Sequence, residues 1–344
     1  MGFARALLFG FLTWVGGALA GEVGVTDNSL LIGMTAPFSG PNGAYGLDMK
    51  MVINAYFRQL NAAGGIHGRR LELRALDDGY ETERAVANTR ALIGQEKVFA
   101  LLASYGSSPT TAAMNEVFGV AKVPLIGTIS GAESLRQSPG ENPNNRYMFN
   151  VRASYANETE AIVNQLASLG FKNIAVLYQN DGFGKSGLEG VVAALKKHAQ
   201  APSAVATVER NSVDVGQAVQ TIAKLNPQAV IMVTLYKPTA AFVRAMRKAG
   251  QTPQFMTLSP VGADLLVQEL GDEARGIGIS QVMPYPWNDT TPLVNEYQKL
   301  LGKQGKPSYY GLEAYVMAKV LVEAIRKAGK EPTREKLVVA LESM

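Results

Sequence analysis

The residues with the clearest chemical potential are two serines that follow a short apolar run. Residues 98–102 are apolar, Ser107 and Ser108 come shortly after them, and Pro109 opens an alanine-rich segment with helical spacing. This order predicts a strand, a tight turn and a helix capped by Ser107 or Ser108. The first amide N–H groups of a helix lack hydrogen-bond partners within the helix, so a hydroxyl beside them completes an anion-binding site. We interpret the turn as the floor of a ligand site, with an ordinary capped helix as the alternative.

A glycine pattern later in the chain suggests a nucleotide site. Residues 182–187 read Gly-Phe-Gly-Lys-Ser-Gly, which matches a dinucleotide fingerprint after a predicted strand. However, Asp181 and Phe183 would crowd a pyrophosphate, and the next strand has no suitable acidic residue at its end other than Glu209. A nicotinamide-dependent enzyme therefore stays only as an alternative.

The remaining reactive residues do not form a site in the sequence. The two histidines, His67 and His198, lack the partners of a hydrolase or zinc site, and Asp77-Asp78 lacks the further ligands of a calcium loop. Glu158 fits the first turn of a helix. The chain has no cysteine, which excludes thiolate chemistry. We expect no enzymatic activity, no cofactor and no metal.

Composition indicates an exported globular protein. The chain has 344 residues, 47% of them hydrophobic, which is enough for two lobes, and its net charge of +4 is not concentrated in a basic block, so no nucleic-acid partner is expected. Residues 1–20 combine Arg5, an apolar run and Ala18-Leu-Ala20 before the expected cleavage point, which predicts a signal peptide. An uncleaved N-terminal anchor is the alternative. No later segment reaches about 18 uncharged apolar residues.

Predicted strands alternate with predicted helices along residues 30–126, and the alternation starts again along residues 157–258. This spacing is typical of right-handed βαβ units around a mainly parallel sheet. Two such halves predict an α/β protein of two lobes, each a mainly parallel sheet flanked by helices. Ligands bind beyond the carboxyl ends of parallel strands, so the cleft between the lobes is the expected site.

Five short motifs resemble one protein family when they are read in order. They are Thr35-Ala-Pro-Phe-Ser-Gly40, Gly43-Ala-Tyr-Gly46, Asn61-Ala-Ala-Gly-Gly-Ile-His-Gly68, Asp77-Asp78 and Tyr178-Gln-Asn-Asp-Gly-Phe-Gly184. The chain is similar, over nearly all of its length after the signal peptide, to type I periplasmic solute-binding proteins of ABC importers, in the Leu/Ile/Val-binding branch. The resemblance implies three crossovers, with residues 29–149 and 283–329 in the N-terminal lobe. Residues 150–282 and 330–344 are then expected in the C-terminal lobe, with truncation of a C-terminal strand as an open alternative.

The resemblance also implies how a ligand is held. Hydroxyl and amide groups of the first lobe bind the ligand carboxylate, and aromatic rings cover the ligand side chain when the lobes close. The expected ligand-binding residues are Tyr45, Ser107, Ser108, Ile129, Ser130, Gly131, Tyr155, Phe183, Tyr236 and Ser259. Tyr155, and also Tyr309 or Tyr310, are alternatively hinge or core residues.

One position departs from the family. The glutamate that neutralises a ligand ammonium falls on Ser259, and an unpaired buried ammonium costs several kcal/mol. A carboxylate ligand without an amino group is therefore considered beside a branched-chain amino acid, as is an amide. The resemblance implies a periplasmic monomer that delivers its ligand to the membrane permease of an ABC importer, with a ligand-sensing module for a signalling partner as the alternative.

Overall fold

The computed structural model describes residues 21–288, 291–303 and 305–344. The predicted signal peptide, residues 1–20, lies outside the described residues. In the described part, the first half of the chain builds a sheet with the strand order β2-β1-β3-β4-β5, in which every pairing is parallel. Its elements are β1 (Ser29–Ala36), α1 (Gly43–Ala62), β2 (Arg70–Asp77), α2 (Thr82–Gly94), β3 (Ala100–Tyr105), α3 (Ser107–Ala113), β4 (Leu125–Ile129) and β5 (Met148–Phe149).

The second sheet has the strand order β10-β9-β8-β6-β7 and is also parallel throughout. Its elements are α4 (Tyr155–Ser168), β6 (Ile174–Gln179), α5 (Gly182–Lys197), β7 (Val205–Val208), α6 (Gly216–Ala223), β8 (Ala229–Val233), α7 (Tyr236–Lys248), β9 (Gln254–Thr257), α8 (Ala263–Leu270) and β10 (Gly278–Ile279). Three helices follow, α9 (Pro292–Leu301), α10 (Tyr309–Ala328) and α11 (Arg334–Glu342). The predicted fold, two lobes each built on a parallel sheet, is confirmed.

The central strands show why the chain folds this way. Every residue of β3 and of β8 is buried, as expected for parallel strands covered by helices on both faces. The helices bury one stripe each; along α1 it includes Tyr45, Met49, Val52 and Ile53. None of the described helices is both long and apolar enough to cross a membrane.

The last helix departs from the expected lobe assignment. Residues 330–344 were expected in the C-terminal lobe, but Arg334 donates hydrogen bonds to the carbonyls of Val98 and Phe99, at 2.8 and 3.0 Å, beside β3. Val338 is fully buried in the same core cluster as Val98. That part of the prediction is wrong, because the apolar face of α11 finds its partners in the N-terminal lobe.

Candidate functional site

The two lobes meet at the carboxyl ends of their strands, and the structure holds them closed. The Tyr45 hydroxyl, on α1 of the first lobe, donates to the carbonyl of Val261 at 2.7 Å and accepts from the amide of Tyr236 at 3.3 Å. The Gly182 amide, at the start of α5, donates to Ser108 Oγ at 2.9 Å. The cleft predicted from the topology is thus lined by residues of both lobes.

Three hydroxyl groups from separate elements converge inside the cleft. Ser107 Oγ lies 2.8 Å from Ser130 Oγ and 3.3 Å from the Tyr155 hydroxyl. Ser107 begins α3, Ser130 follows β4 and Tyr155 begins α4, and none of the three is more than 1% exposed. We call these residues the hydroxyl cluster. It offers hydrogen-bond donors and acceptors without a formal charge.

The backbone after β4 joins this cluster to the second lobe. The Tyr155 amide donates to the carbonyl of Gly131 at 2.8 Å. A Cβ at Gly131 would lie 2.7 Å from that amide nitrogen, so only glycine permits the approach. Ile129, the last residue of β4, is buried and pairs with Tyr105 of β3.

Aromatic rings form the other wall of the cleft. The ring of Tyr45 lies 5.4 Å from Tyr105, 5.6 Å from Tyr236 and 4.6 Å from Tyr310. Such centroid distances are those of favourable aromatic pairs. Because burial removes the solvent that stabilises a phenolate, it raises the pKa of Tyr45 well above its usual value, and this phenol stays neutral.

A second aromatic pair lies beside the hydroxyl cluster. The ring of Phe183, on α5, is 5.2 Å from the ring of Tyr155, and both side chains are buried. Aromatic groups thus approach the hydroxyl cluster from the second lobe, as the sequence analysis expected. Together the two walls suit a small ligand with one polar end and an apolar body.

The helix that carries Ser107 begins differently from the prediction. Its N-cap is Gly106, with φ +89° and no side-chain capping bond, so neither serine is the cap. Glycine is favoured at that φ because other residues are strained there. The Ser107 hydroxyl is consequently used inside the hydroxyl cluster, and the Ser108 hydroxyl bridges to the second lobe.

Ser259 lies with a group of charged residues at the crossovers. Its amide and hydroxyl donate to Glu158, at 2.8 and 3.0 Å, and the Ser280 hydroxyl donates to the same carboxylate at 2.6 Å. Arg152 Nη2 donates to Ser259 Oγ and lies 3.6 Å from Glu158 Oε1, while its Nε lies 3.5 Å from Glu313 Oε1. We call these five residues the hinge cluster.

The sequence analysis named Ser259 and Glu158 but did not bring them together with Arg152, Ser280 and Glu313. Glu158 does begin a helix, but it is only 4% exposed, and it supplies a carboxylate beside Ser259, where the sequence lacks one. Burial, and more weakly the charge of Glu158, raises the pKa of Glu313 to about 7, although Arg152 opposes the shift. The available signal was a charged residue at position 152, at the expected crossover, and this does not reveal its partners.

Polar contacts between the lobes continue at the rim of the cleft. Glu81 accepts hydrogen bonds from Arg210 at 3.1 Å and from Asn211 at 2.6 Å. The Tyr80 hydroxyl, which the sequence analysis did not single out, lies 3.3 Å from Asp181 Oδ2 and accepts from Gln179 at 3.1 Å. These contacts join β2 and α2 to the second lobe.

The glycines of residues 182–187 have a packing role. A Cβ at Gly184 would lie 1.8 Å from the carbonyl oxygen of Gln179, and one at Gly187 would lie 2.4 Å from Val233. They let α5 pack closely on β6 and β8, while Asp181 caps the helix at the place where a phosphate would have to sit. Across residues 21–288, 291–303 and 305–344, no group of three or more acidic or histidine side chains could hold a metal ion.

Comparisons with known proteins bear on the family and the fold. The family model described as periplasmic binding protein matches residues 29–344. A substrate-binding periplasmic protein from Ralstonia solanacearum has 34% identity and a TM-score of 0.84, covering 91% of this chain and 88% of its own. A possible leucine/isoleucine/valine-binding protein from Rhodopirellula baltica has 33% identity and a TM-score of 0.84, with coverage of 94% and 88%. An amino acid binding protein from Pseudomonas aeruginosa is 25% identical, covering 91% of this chain and 83% of the relative.

Proposed function

The chain belongs to the periplasmic binding protein family, and on that premise we propose that it captures a small carboxylate-bearing solute between its lobes for ABC-type import. The proteins to which it is similar are solute-binding receptors and not enzymes. In this proposal the protein is exported by cleavage after residue 20, acts as a periplasmic monomer and presents its closed form to a membrane permease.

One observation carries the proposal. The hydroxyl cluster lies at the junction of the lobes beside the ring of Phe183, and the ring of Tyr236 lies against Tyr45; Phe183 and Tyr236 belong to the second lobe. Hydroxyl and amide donors are suited to a carboxylate, and aromatic faces are suited to an apolar body. The proposed site is therefore complete only when the lobes are closed.

Closure supplies the mechanism of capture. The bonds from Tyr45 to Val261 and Tyr236, and from Gly182 to Ser108, join opposite lobes and break when the cleft opens. A ligand that contacts both lobes binds the closed form more tightly and shifts the population toward it. The permease can then distinguish loaded from empty protein by shape.

The hinge cluster bears on the chemical class of the ligand. The family glutamate is replaced by Ser259, and the nearby Glu158 carboxylate accepts three hydrogen bonds from Ser259 and Ser280 and lies beside Arg152. The contacts of that carboxylate are already made within the protein, so it is a poor partner for a ligand ammonium. We therefore favour an aliphatic or aromatic acid without an amino group over leucine.

The experiment compares ligands that differ in one group. Purified protein is titrated by calorimetry with leucine, with 4-methylpentanoate, which is leucine without its amino group, and with benzoate; thermal shift measurements run in parallel. We expect saturable binding and stabilisation by at least one of the two acids and weaker binding of leucine. Submicromolar leucine binding would contradict the ligand class, and stabilisation by none of the three would contradict the proposed carboxylate specificity.

Export is tested separately from ligand binding. The intact mass of protein released by osmotic shock of expressing cells is expected to correspond to a chain that starts at Gly21. Retention of the full-length mass in the membrane fraction would favour the uncleaved anchor instead.

A further inference from the structure

A cavity that the proposed function does not use lies between the two lobes. Its volume is about 400 Å³, which is large enough for a small organic molecule. The first lobe contributes Tyr45, Asp48 and Tyr310 to its lining, the second lobe contributes Asp264 at the start of α8, and Trp287 of the connecting segment also lines it. None of the three residues of the hydroxyl cluster is part of this lining.

Direct contacts hold the two walls of the cavity against each other. The Tyr310 hydroxyl, on α10 of the first lobe, donates to the carbonyl of Pro260 at 2.8 Å. A Cβ at Gly262 would lie 2.5 Å from the ring of Tyr45, so the chain just before Asp264 packs directly on the first lobe. A molecule in the cavity therefore touches both lobes.

Two carboxylates line the cavity without a cationic partner. Asp48 accepts a hydrogen bond from the Ser308 hydroxyl, whereas Asp264 Oδ1 is buried and has no hydrogen-bond partner among the described residues. Neither carboxylate forms an ion pair in the described part of the chain, and Lys306, the one basic residue of the lining, is exposed. Burial raises the pKa of Asp48 to about 6 against the hydrogen bond from Ser308, and the charge of Asp264 adds to the shift. A cation in the cavity would offset the burial of both groups.

Aromatic rings in the lining indicate what kind of cation fits. The rings of Tyr45 and Tyr310 lie 4.6 Å apart, and the indole of Trp287 lies 5.3 Å from the ring of Tyr309. The face of an aromatic ring attracts an organic cation within about 6 Å. A metal ion would need more oxygen ligands, and no group of three or more acidic or histidine side chains that could hold one exists among the residues that the structure describes. The lining therefore suits an organic cation.

The cavity adjoins an open hollow through which a solute can enter. The hollow has a volume of about 640 Å³ and shares Asp264, Gln268 and Trp287 with the cavity. Its lining also includes Tyr285, whose ring lies 4.9 Å from that of Trp287. Since Tyr285 and Trp287 are 54% and 40% exposed, the hollow opens to solvent.

We propose that this cavity binds a small organic cation with a primary ammonium group, which Asp48 and Asp264 hold from opposite lobes. This site is additional to the proposed carboxylate site and does not depend on it. A primary ammonium carries three N–H donors, one of which satisfies the unpartnered Asp264 Oδ1. A quaternary ammonium has no N–H group and would leave that buried acceptor unpaired. Because the cation contacts both lobes, it favours the closed form.

The first experiment compares probes that differ in charge or in N–H donors. Purified protein at pH 8, where Asp48 is ionised, is titrated by calorimetry with benzylamine, pentylamine, their neutral matches benzyl alcohol and 1-pentanol, and benzyltrimethylammonium. We expect at least one amine to bind saturably and to raise the melting temperature. The matched alcohol and the quaternary ammonium are expected to bind about 10- to 150-fold more weakly, the range for a hydrogen bond to a charged group.

Variants test whether the amine binds in this cavity. Asp48→Asn and Asp264→Asn are each expected to weaken amine binding by about 10- to 150-fold and to change alcohol binding by less than about threefold. Trp287→Leu is expected to weaken amine binding by about two- to fivefold through loss of the ring face.

Two features of these variants keep the test valid. Asp272→Asn is the matched control, because Asp272 follows α8, pairs with Arg275 at the surface and lines neither space. Since Asp264 Oδ1 has no partner, Asp264→Asn is expected to fold with an unchanged or raised melting temperature. It therefore decides the question if Asp48→Asn, which alters the contact with Ser308, does not fold.

Three results would overturn the inference. They are the absence of saturable binding of both amines by the wild type, binding of the alcohols as tight as that of the amines, and amine binding that Asp264→Asn weakens no more than Asp272→Asn does. None of these results affects the proposed carboxylate site, which the separate titrations with acids decide.

Discussion

The hydroxyl of Tyr45 provides a direct test of lobe closure. It lies on α1 of the first lobe, is 1% exposed, and makes two hydrogen bonds to the second lobe, to the Val261 carbonyl at 2.7 Å and from the Tyr236 amide at 3.3 Å. Tyr45→Phe removes both bonds and keeps the ring. An open protein does not make these bonds, so the substitution is expected to destabilise the closed form selectively.

The size of the effect follows from the number of bonds. A net value of about 1 kcal/mol for each hydrogen bond gives about 2 kcal/mol. This corresponds to a shift of about 30-fold in the ratio of closed to open protein. Ligand affinity is expected to fall by up to the same factor, because binding must then supply the free energy of closure.

Small-angle scattering of the unliganded protein measures closure, and calorimetry measures ligand affinity. Tyr56→Phe is the matched control, since Tyr56 lies on the same helix and its ring contacts Tyr315 of α10 within the first lobe. We expect Tyr45→Phe to increase the radius of gyration and weaken binding relative to this control. Identical scattering and affinity in the two variants would refute the assignment of closure to these bonds.

Three further predictions address binding, electrostatics and packing. Ser107→Ala removes the hydroxyl that contacts both Ser130 and Tyr155. It is expected to weaken acid binding by about 1 to 3 kcal/mol in calorimetry without lowering the melting temperature markedly. Unchanged affinity, as expected for the exposed control Ser168→Ala, would show that Ser107 does not contact the ligand. Burial raises the pKa of Glu313 to about 7, whereas an unfolded glutamate has a pKa of about 4.3. Between these two pKa values the folded state binds more protons than the unfolded state. The free energy of unfolding therefore falls as pH rises through this range. Urea unfolding should therefore show Glu313→Gln gaining stability relative to wild type between pH 5 and pH 8, while a pH-independent difference would contradict the assignment. Gly184→Ala places a Cβ 1.8 Å from the Gln179 carbonyl oxygen and is expected to lower the free energy of unfolding, measured with denaturant, by at least about 2 kcal/mol. In the control Gly94→Ala the new Cβ meets nothing within 4 Å, and no loss of stability is expected. Equal stability of the two variants would contradict the close packing of α5 on β6.

The fold could be predicted because its signals are local and repeated. Apolar runs such as β8, Ala229–Val233, alternate with helices at the spacing that parallel sheets require. Short elements were missed, among them β5 and β10 of two residues each, because two residues carry no periodicity. The place of α11 was wrong because it is decided by tertiary contacts with Val98 and Phe99, which the sequence does not reveal.

The candidate site was partly visible in the sequence. Ser107, Ser130 and Tyr155 were selected by turn signals and by the resemblance, and the structure brings their hydroxyl groups together. Arg152 and Glu313 were not selected, since they lie 161 positions apart by their numbering and meet only where the crossovers meet. A pairing of that kind leaves no mark in composition or spacing.

The central claim is that a small carboxylate is held between the lobes by the hydroxyl cluster. The most direct measurement is a crystal structure of the protein with whichever of the tested acids binds most tightly. We predict ligand density between the two sheets, with carboxylate oxygens within hydrogen-bond distance of Ser107 Oγ and the apolar body against Phe183 or Tyr236. A ligand bound outside this cleft, or one whose carboxylate faces away from Ser107, would contradict the account.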